Sequence, residues 1–244
     1  MAGQLENVNL DIFNNLSVVV PFIGHDILWK DLLRDLQPLP AGCEILLVGP
    51  DAPDQELLKR ASEKMIAKIS YVKSEKGRAR QLNAGARAAQ GSYFWFLHAD
   101  SKVPRPALFA LATELRRNPL ALHYFHLQFL SDGPKLVTLN SMAANWRSRY
   151  LGMPFGDQGF ALGRSTFYRL GGFQEEASYG EDHLLVWAAH RKRILLNAVP
   201  ASIFTSARRY EAEGWGALTS RRVLMTVKQA AREYVKLLKQ RLVE

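Results

Sequence analysis

Four short apolar runs, each followed by a segment of helical spacing, limit the folds open to this chain. They are 16–22 (LSVVVPF), 44–48 (EILLV), 69–72 (ISYV) and 93–98 (YFWFLH). The first two are nearly unbroken runs of Val, Leu and Ile, the mark of strands covered on both faces. Helices are predicted over 25–36, 54–64, from Gly77 onward, and over 104–118. Strands alternating with helices of this length form βαβ units and a parallel sheet. The second half is less regular. It reads as a half-exposed strand over 122–129, a helix over 136–150, a strand over 158–163, a helix over 165–170, a turn at Gly171-Gly172-Phe173 and a helix over 181–191.

The stretch from Gly77 to Asp100 carries chemistry. A glycine opens a helix bearing Arg78, Arg80, Gln81 and Asn83, and the strand after it leads to Asp100. Guanidinium groups at a helix N-terminus suit a diphosphate. A carboxylate beyond the C-terminal end of a parallel strand lies where open α/β sheets bind ligands. Together they point to a nucleotide-diphosphate site, with Arg78 as the first diphosphate contact. Arg80 reads equally as a solvated charge. Gln81 and Asn83 read equally as ligands or as polar residues of an exposed helix face, and Asp100 has a cap at the following turn as its structural reading.

Composition narrows the partners. A net charge of +9 favours anions, but no helix-turn-helix, zinc or RNP-type pattern supports nucleic acid. The single cysteine, Cys43, excludes an internal disulfide framework and fits a reducing compartment. The first residues lack a basic segment followed by an apolar one, and no apolar run approaches the roughly 20 residues of a membrane span. The expectation is a cytoplasmic protein, at most peripheral at the inner membrane. The turn after the first strand, Val20 to His25, has no glycine-rich dinucleotide fingerprint, and the histidines lack zinc-hydrolase spacing.

Four segments in order, VVVPF at 18–22, GRARQLNAG at 77–85, FLHADS at 96–101, and GDQGFALGRSTFYRLGGF with GED at 156–173 and 180–182, resemble a family 2 glycosyltransferase of the GT-A fold. The likeness runs from about residue 16 to about 227. The FLHAD form, the GDQ segment and the ending ARRYEAEGWG at 207–216 are similar to the bacterial radical-SAM/selenodomain-associated subgroup, some of it named for arsenosugar biosynthesis. The resemblance implies an α/β protein with a mostly parallel central sheet flanked by helices. It implies an inverting, metal-assisted transfer of a sugar from a nucleotide-diphosphate donor to a hydroxyl acceptor.

The resemblance also implies residue roles. His98-Ala99-Asp100 stands where the family has its DXD triplet, so Asp100 is expected to hold a divalent cation, Mn²⁺ or Mg²⁺, with His98 and Ala99 beside the donor. Pro21 would meet the base. Asp182 would be the general base with Glu181 supporting it; both also fit as acids serving a helix dipole. Asp157 and Gln158 would face the acceptor. Arg208 and Arg209 match a late basic element that folds over the diphosphate. The chain departs from the family at Gly49-Pro50-Asp51-Ala52, where the usual base-reading acid is missing and Asp51 or Asp54 is the substitute. It departs again at Gly24-His25. Both changes lie on the base and ribose side of the donor. A non-catalytic nucleotide- or carbohydrate-binding descendant of the fold is the competing reading.

The expected organisation is an N-terminal extension over 1–15, a donor half over 16–103, an acceptor half over 104–216, and a basic amphipathic helix over 217–244. That helix is expected to place Val223, Val227, Ala230, Tyr234, Leu237 and Leu238 on one side, packed on the domain. An anionic membrane and a second copy of the chain are its alternative partners.

Overall fold

The computed structural model describes residues 10–23, 27–177 and 179–243. Four parallel strands, β1 (Leu16–Pro21), β2 (Glu44–Gly49), β3 (Lys68–Lys73) and β4 (Tyr93–Phe96), are linked by helices α1 (Trp29–Asp35), α2 (Gln55–Ser62) and α3 (Arg78–Ala88). Then follow α4 (Arg105–Arg117), β5 (Leu122–Phe129), α5 (Val137–Leu151), β6 (Ala161–Gly163), α6 (Arg164–Leu170), α7 (Glu181–Arg191), β7 (Leu196–Thr205), α8 (Arg208–Glu213) and α9 (Trp215–Val243). The sheet order is β3-β2-β1-β4-β6-β5-β7, with β6 antiparallel to both neighbours.

The unbroken apolar strands do what their composition requires. Val18 and Val20 enter one core with Trp29, Leu32 and Leu36 of α1 and Leu108 and Leu111 of α4. Val19 points the other way, into a second core with Leu46, Val48 and Leu82. Alternate residues of one strand thus bury against helices on opposite faces. Gly85 lets α3 lie close on the sheet, since an added Cβ would overlap Val19 and come within 3.0 Å of Val48. That approach brings the N-terminus of α3 over the ends of β1 and β2. Cys43 is 1% exposed, and burial, helped by the charge of Glu44, pushes its thiol up to about 12.

Three local expectations change. Residues 25 and 26 of the first predicted helix, like Gly24 of the altered turn, lie outside the described residues, and α1 begins at Trp29. The strand expected over 158–163 shortens to Ala161–Gly163, because Gly156–Gln158 forms a 3-10 turn. Strand β7 was not anticipated. It contains Pro200, which ordinarily argues against a strand. The register slips between Phe125↔Val199 and His126↔Ser202, so Pro200 and Ala201 fall in a bulge where no ladder donor is needed.

The N-terminal stretch also packs on the domain: Phe13, in a 3-10 helix over Asp11–Asn15, is fully buried. Helix α9 differs from expectation more sharply. Leu218 and Leu237 are buried, whereas Val223, Val227, Tyr234 and Leu238 are exposed. Polar contacts hold much of its inner side: Arg191 pairs with the buried Glu233 at 2.6 Å, and Gln229 bonds His183 and the Tyr179 carbonyl.

Candidate active site

A cavity of about 360 Å³ opens at the C-terminal ends of β1 and β4, beside the start of α3. Its walls include Pro21, Phe22 and Ile23 from the end of β1, Lys76, Gly77, Arg78 and Gln81 around the start of α3, and His98, Ala99 and Asp100 after β4. Gly77 has φ +139°, a backbone geometry that side chains disfavour, and it turns the chain so that Arg78 is the first residue of α3. Unpaired N–H groups of a first helical turn and a guanidinium therefore face the same space.

Asp100 accepts a long bond, 3.4 Å, from the Thr205 hydroxyl of β7. The Nε2 atom of His98 is buried without a protein partner. Burial, with the positive charges of Arg78 and Arg222, holds the imidazole well below its usual range, so it is neutral. Among the described residues no group of three or more His, Cys, Asp and Glu side chains could hold a metal. A carboxylate and an uncharged imidazole nitrogen suit Mn²⁺ or Mg²⁺ only when other oxygens, such as those of a diphosphate, complete the shell.

The polar residues of α3 are deeply engaged. The Gln81 amide donates to the carbonyls of Phe22 (2.6 Å) and Val48 (2.9 Å), tying β1 to β2 beneath the cavity. Asn83 faces away from the cavity. Its side chain accepts from Phe173 N–H and donates to Phe173 carbonyl and to Glu175, clamping the turn after α6. Asp51 is exposed beyond β2, outside the cavity lining. Phe22, Ile23, Leu28 and Lys76, which line the cavity, were not singled out by sequence. Lys76 had a signal in its position directly before Gly77.

Arg78 joins this cavity to an acidic cluster. Its Nε lies 3.2 Å from Glu181 at the start of α7, close enough for charge attraction though not aligned for a hydrogen bond. Asp182 accepts from the backbone N–H of Gly156 at 2.5 Å and of His183 at 2.8 Å. A Cβ at Gly156 would come within 2.9 Å of the Asp182 carboxylate and 3.1 Å of Arg78, so only glycine admits this approach. Burial, and then the charge of Asp182, raises the proton affinity of Glu181 against the pull of Arg78.

Asp157 completes the cluster. Its Oδ1 is buried with no hydrogen-bond partner, and burial raises its proton affinity despite Arg147, Arg78 and Arg222. Arg147 is itself held by the Met153 carbonyl and lies 3.6 Å from the centre of the Phe155 ring. Gln158 is fully buried. Its oxygen accepts from Ser148 and Phe155 N–H, and its amide donates to the Phe125 carbonyl. It braces the turn that presents Asp157.

The two late arginines are not brought to the cavity wall. Arg208 is bound to Ser206 and pairs with Asp132 at 3.6 Å, and Arg209 pairs with Glu213 at 2.6 Å. Arg222 of α9, like Arg78, is a basic residue whose charge acts on both His98 and Asp157. It donates to the hydroxyl of the buried Tyr210 at 2.9 Å. Nothing in the sequence separated it from the other basic residues of that helix.

A model for glycosyl transferase family 2 matches residues 37–174. No curated protein matches the chain. Among solved structures, a mannosyltransferase from Pyrobaculum calidifontis in complex with GDP-Man and Mn²⁺ superposes with a TM-score of 0.67 at 16% identity. It covers 93% of this chain and 68% of its own. S. aureus TarS gives 0.60 at 19% identity, covering 79% of this chain and 37% of its own, and TarS 1–349 in complex with UDP-GlcNAc gives 0.59 at 18%, covering 79% and 58%. The chain thus spans from about a third to two thirds of the length of these neighbours, and they share its GT-A fold.

Proposed function

The chain belongs to glycosyl transferase family 2, and from that premise we propose that it moves a sugar from a nucleotide-diphosphate donor to an acceptor hydroxyl with inversion. The observation that carries this reading is the position of Arg78. It lines the cavity that also holds Asp100, and it pairs with Glu181, the neighbour of Asp182. One guanidinium therefore stands between the space suited to a leaving diphosphate and the carboxylates suited to an incoming hydroxyl.

In this reading the diphosphate lies against Arg78 and the first turn of α3, with Lys76 and Arg222 adding positive charge. Fixed positive charge is most effective where the leaving oxygens become negative. Asp100, with His98 beside it, would hold a divalent cation that neutralises the same oxygens. Asp182 takes the acceptor proton. Each of its oxygens accepts one backbone N–H, and a carboxylate has lone pairs to spare. Asp157 is the rival base, favoured by its partnerless oxygen and raised proton affinity. Gln158 acts by holding Asp157 rather than by touching the acceptor. The likeness of FLHAD, GDQ and ARRY to the radical-SAM-associated subgroup supports a place there for this chain.

The test is nucleoside diphosphate release from a panel of UDP- and GDP-sugars with and without Mn²⁺, beside Mn²⁺-dependent binding of the corresponding diphosphates. Asp100→Ala is expected to abolish the Mn²⁺-dependent part of binding and to leave thermal unfolding unchanged. Undiminished binding by that variant moves the metal elsewhere. Binding by the parent without release from any donor, whatever acceptor is supplied, would make the protein a binding module.

A further inference from the structure

Helix α5 is amphipathic in the wrong sense for a helix packed on a core. Its buried face carries Val137, Ser141, Ala144 and Ser148, mostly small or polar. The opposite face carries Leu139, Met142, Trp146 and Tyr150, exposed by 53%, 64%, 56% and 65%. Their spacing of three and four residues makes one continuous stripe. Leu136, just before the helix, and Leu151, its last residue, are exposed as well. Burying Ser141 and Ser148 is possible because their hydroxyls bond to carbonyls one turn back. Among the described residues the ring contacts of this stripe stay within α5 itself, Trp146 against Tyr150 and Arg149 over the Tyr150 ring.

Helix α9 adjoins it. Asn140 of α5 bonds Thr219 and Trp215 of α9 at 3.0 and 2.9 Å. Beyond that contact α9 exposes Leu224, Val227, Val235 and Leu238 along one side. At helical spacing Lys228, Arg232 and Lys239 form a row alongside this stripe, continued by Arg221, which pairs with Glu213 of α8. The one acid among the described residues of α9, Glu233, is buried in its pairs with Arg191 and Lys236.

We propose that the exposed faces of α5 and α9 bind the surface of an anionic lipid bilayer. Charge complementarity selects this occupant. In a symmetric pair of chains Lys228, Arg232 and Lys239 would meet their own copies with no exposed acid among the described residues of α9 to answer them, whereas anionic headgroups answer them directly. Trp146 and Tyr150 suit the headgroup boundary, where an aromatic ring can be apolar at one end and wet at the other. The apolar stripes would enter the acyl boundary as interfacial helices do. Among the described residues no helix is long and apolar enough to cross a membrane, so the contact is with the surface.

The full chain is mixed with vesicles of phosphatidylcholine alone and of phosphatidylcholine with phosphatidylglycerol in equal parts, then sedimented. Binding to the anionic vesicles only is expected, and it should fall with added salt. Met142→Ser with Trp146→Ser should reduce it at least about tenfold, the loss of two apolar anchors. Lys228→Gln with Arg232→Gln should reduce it by a similar factor, about fivefold per charge. Both variants should unfold at the parental temperature and release nucleoside diphosphate at the parental rate from soluble substrates, since these side chains are exposed and none of them lines the cavity. Equal binding to both vesicle types, binding to neither, or undiminished binding by the α5 variant overturns the proposal. So does a concentration-dependent dimer that both variants disrupt.

Discussion

The two sides of the site are built differently. On the proposed donor side, the groups assigned to the ligand sit at the ends of neighbouring elements: Pro21 at the end of β1, Arg78 at the start of α3, Asp100 after β4. Each position follows from a local strand or helix, and the groups face open space. On the proposed acceptor side, Asp157 and the Glu181–Asp182 pair come from two segments joined by a partly buried polar bond, and Arg78 and Arg147 offset only part of the burial that raises the proton affinity of Asp157 and Glu181. The donor side is prepared for a charge that arrives with the ligand. The acceptor side already holds carboxylates and guanidinium groups close together out of water, so small changes there alter proton affinity more than binding.

Asp182→Asn offers the largest break between the two. Asparagine keeps an acceptor for Gly156 N–H, so donor affinity measured by calorimetry should stay parental while turnover falls about 10²–10⁴-fold, the usual cost of losing a general base. If Asp157→Asn shows that loss instead and Asp182→Asn does not, the base is Asp157. Gln81→Leu tests the scaffold of the donor side. The Val48 carbonyl keeps its bond from Phe22 N–H, but the Phe22 carbonyl loses the Gln81 amide. Denaturant unfolding should show a loss of about 1–3 kcal/mol. A drop in donor affinity at unchanged stability would instead make Gln81 a ligand.

Smaller effects sharpen the boundary between the sides. Arg222→Gln should weaken diphosphate binding about tenfold, as expected for one charged contact, while Arg208→Gln and Arg209→Gln leave it nearly unchanged. The reverse ranking would restore the late arginine pair as the diphosphate clamp. The smallest effect is on stability. Burial raises the proton affinity of Asp157 in the folded state, so stability is lost as the pH rises from the ordinary carboxylate range through the folded pKa, above which the cost is complete. Asp157→Asn should therefore melt slightly above the parent at neutral pH. The gap should close as the pH falls through the carboxylate range, where both side chains are uncharged. A gap that does not change with pH would detach the effect from ionisation.

What could be read from sequence follows the same division. The βαβ order, the glycine before Arg78 and Asp100 beyond β4 were visible because strand period and helix opening are local properties. Strand β7 was hidden by Pro200, which a bulge accommodates only in the presence of β5. Polar residues were harder still. Nothing in the composition around Gln81, Asn83 or Gln158 tells a ligand-facing amide from one bonded to distant backbone, because the backbone groups their amides donate to lie between 33 and 90 positions away. Arg222 was one of seven basic residues on its helix. The exposed stripe of α5 has ordinary helical periodicity, and only the packed structure reveals which side faces outward.

The burial of Cys43 has a practical consequence for observing the protein at work. With a thiol near 12, the reactive thiolate is on the order of one part in 10⁵ at neutral pH, and the sulfur is sealed beneath the sheet. The natural chain is therefore silent toward maleimides and iodoacetamides without any mutation to remove background. A cysteine introduced at an exposed site, such as position 212 in α8, would be the sole labelled atom. Dyes or spin probes placed there and on α5 could report, one molecule at a time, the distance between the late helices and the rest of the domain as substrates come and go.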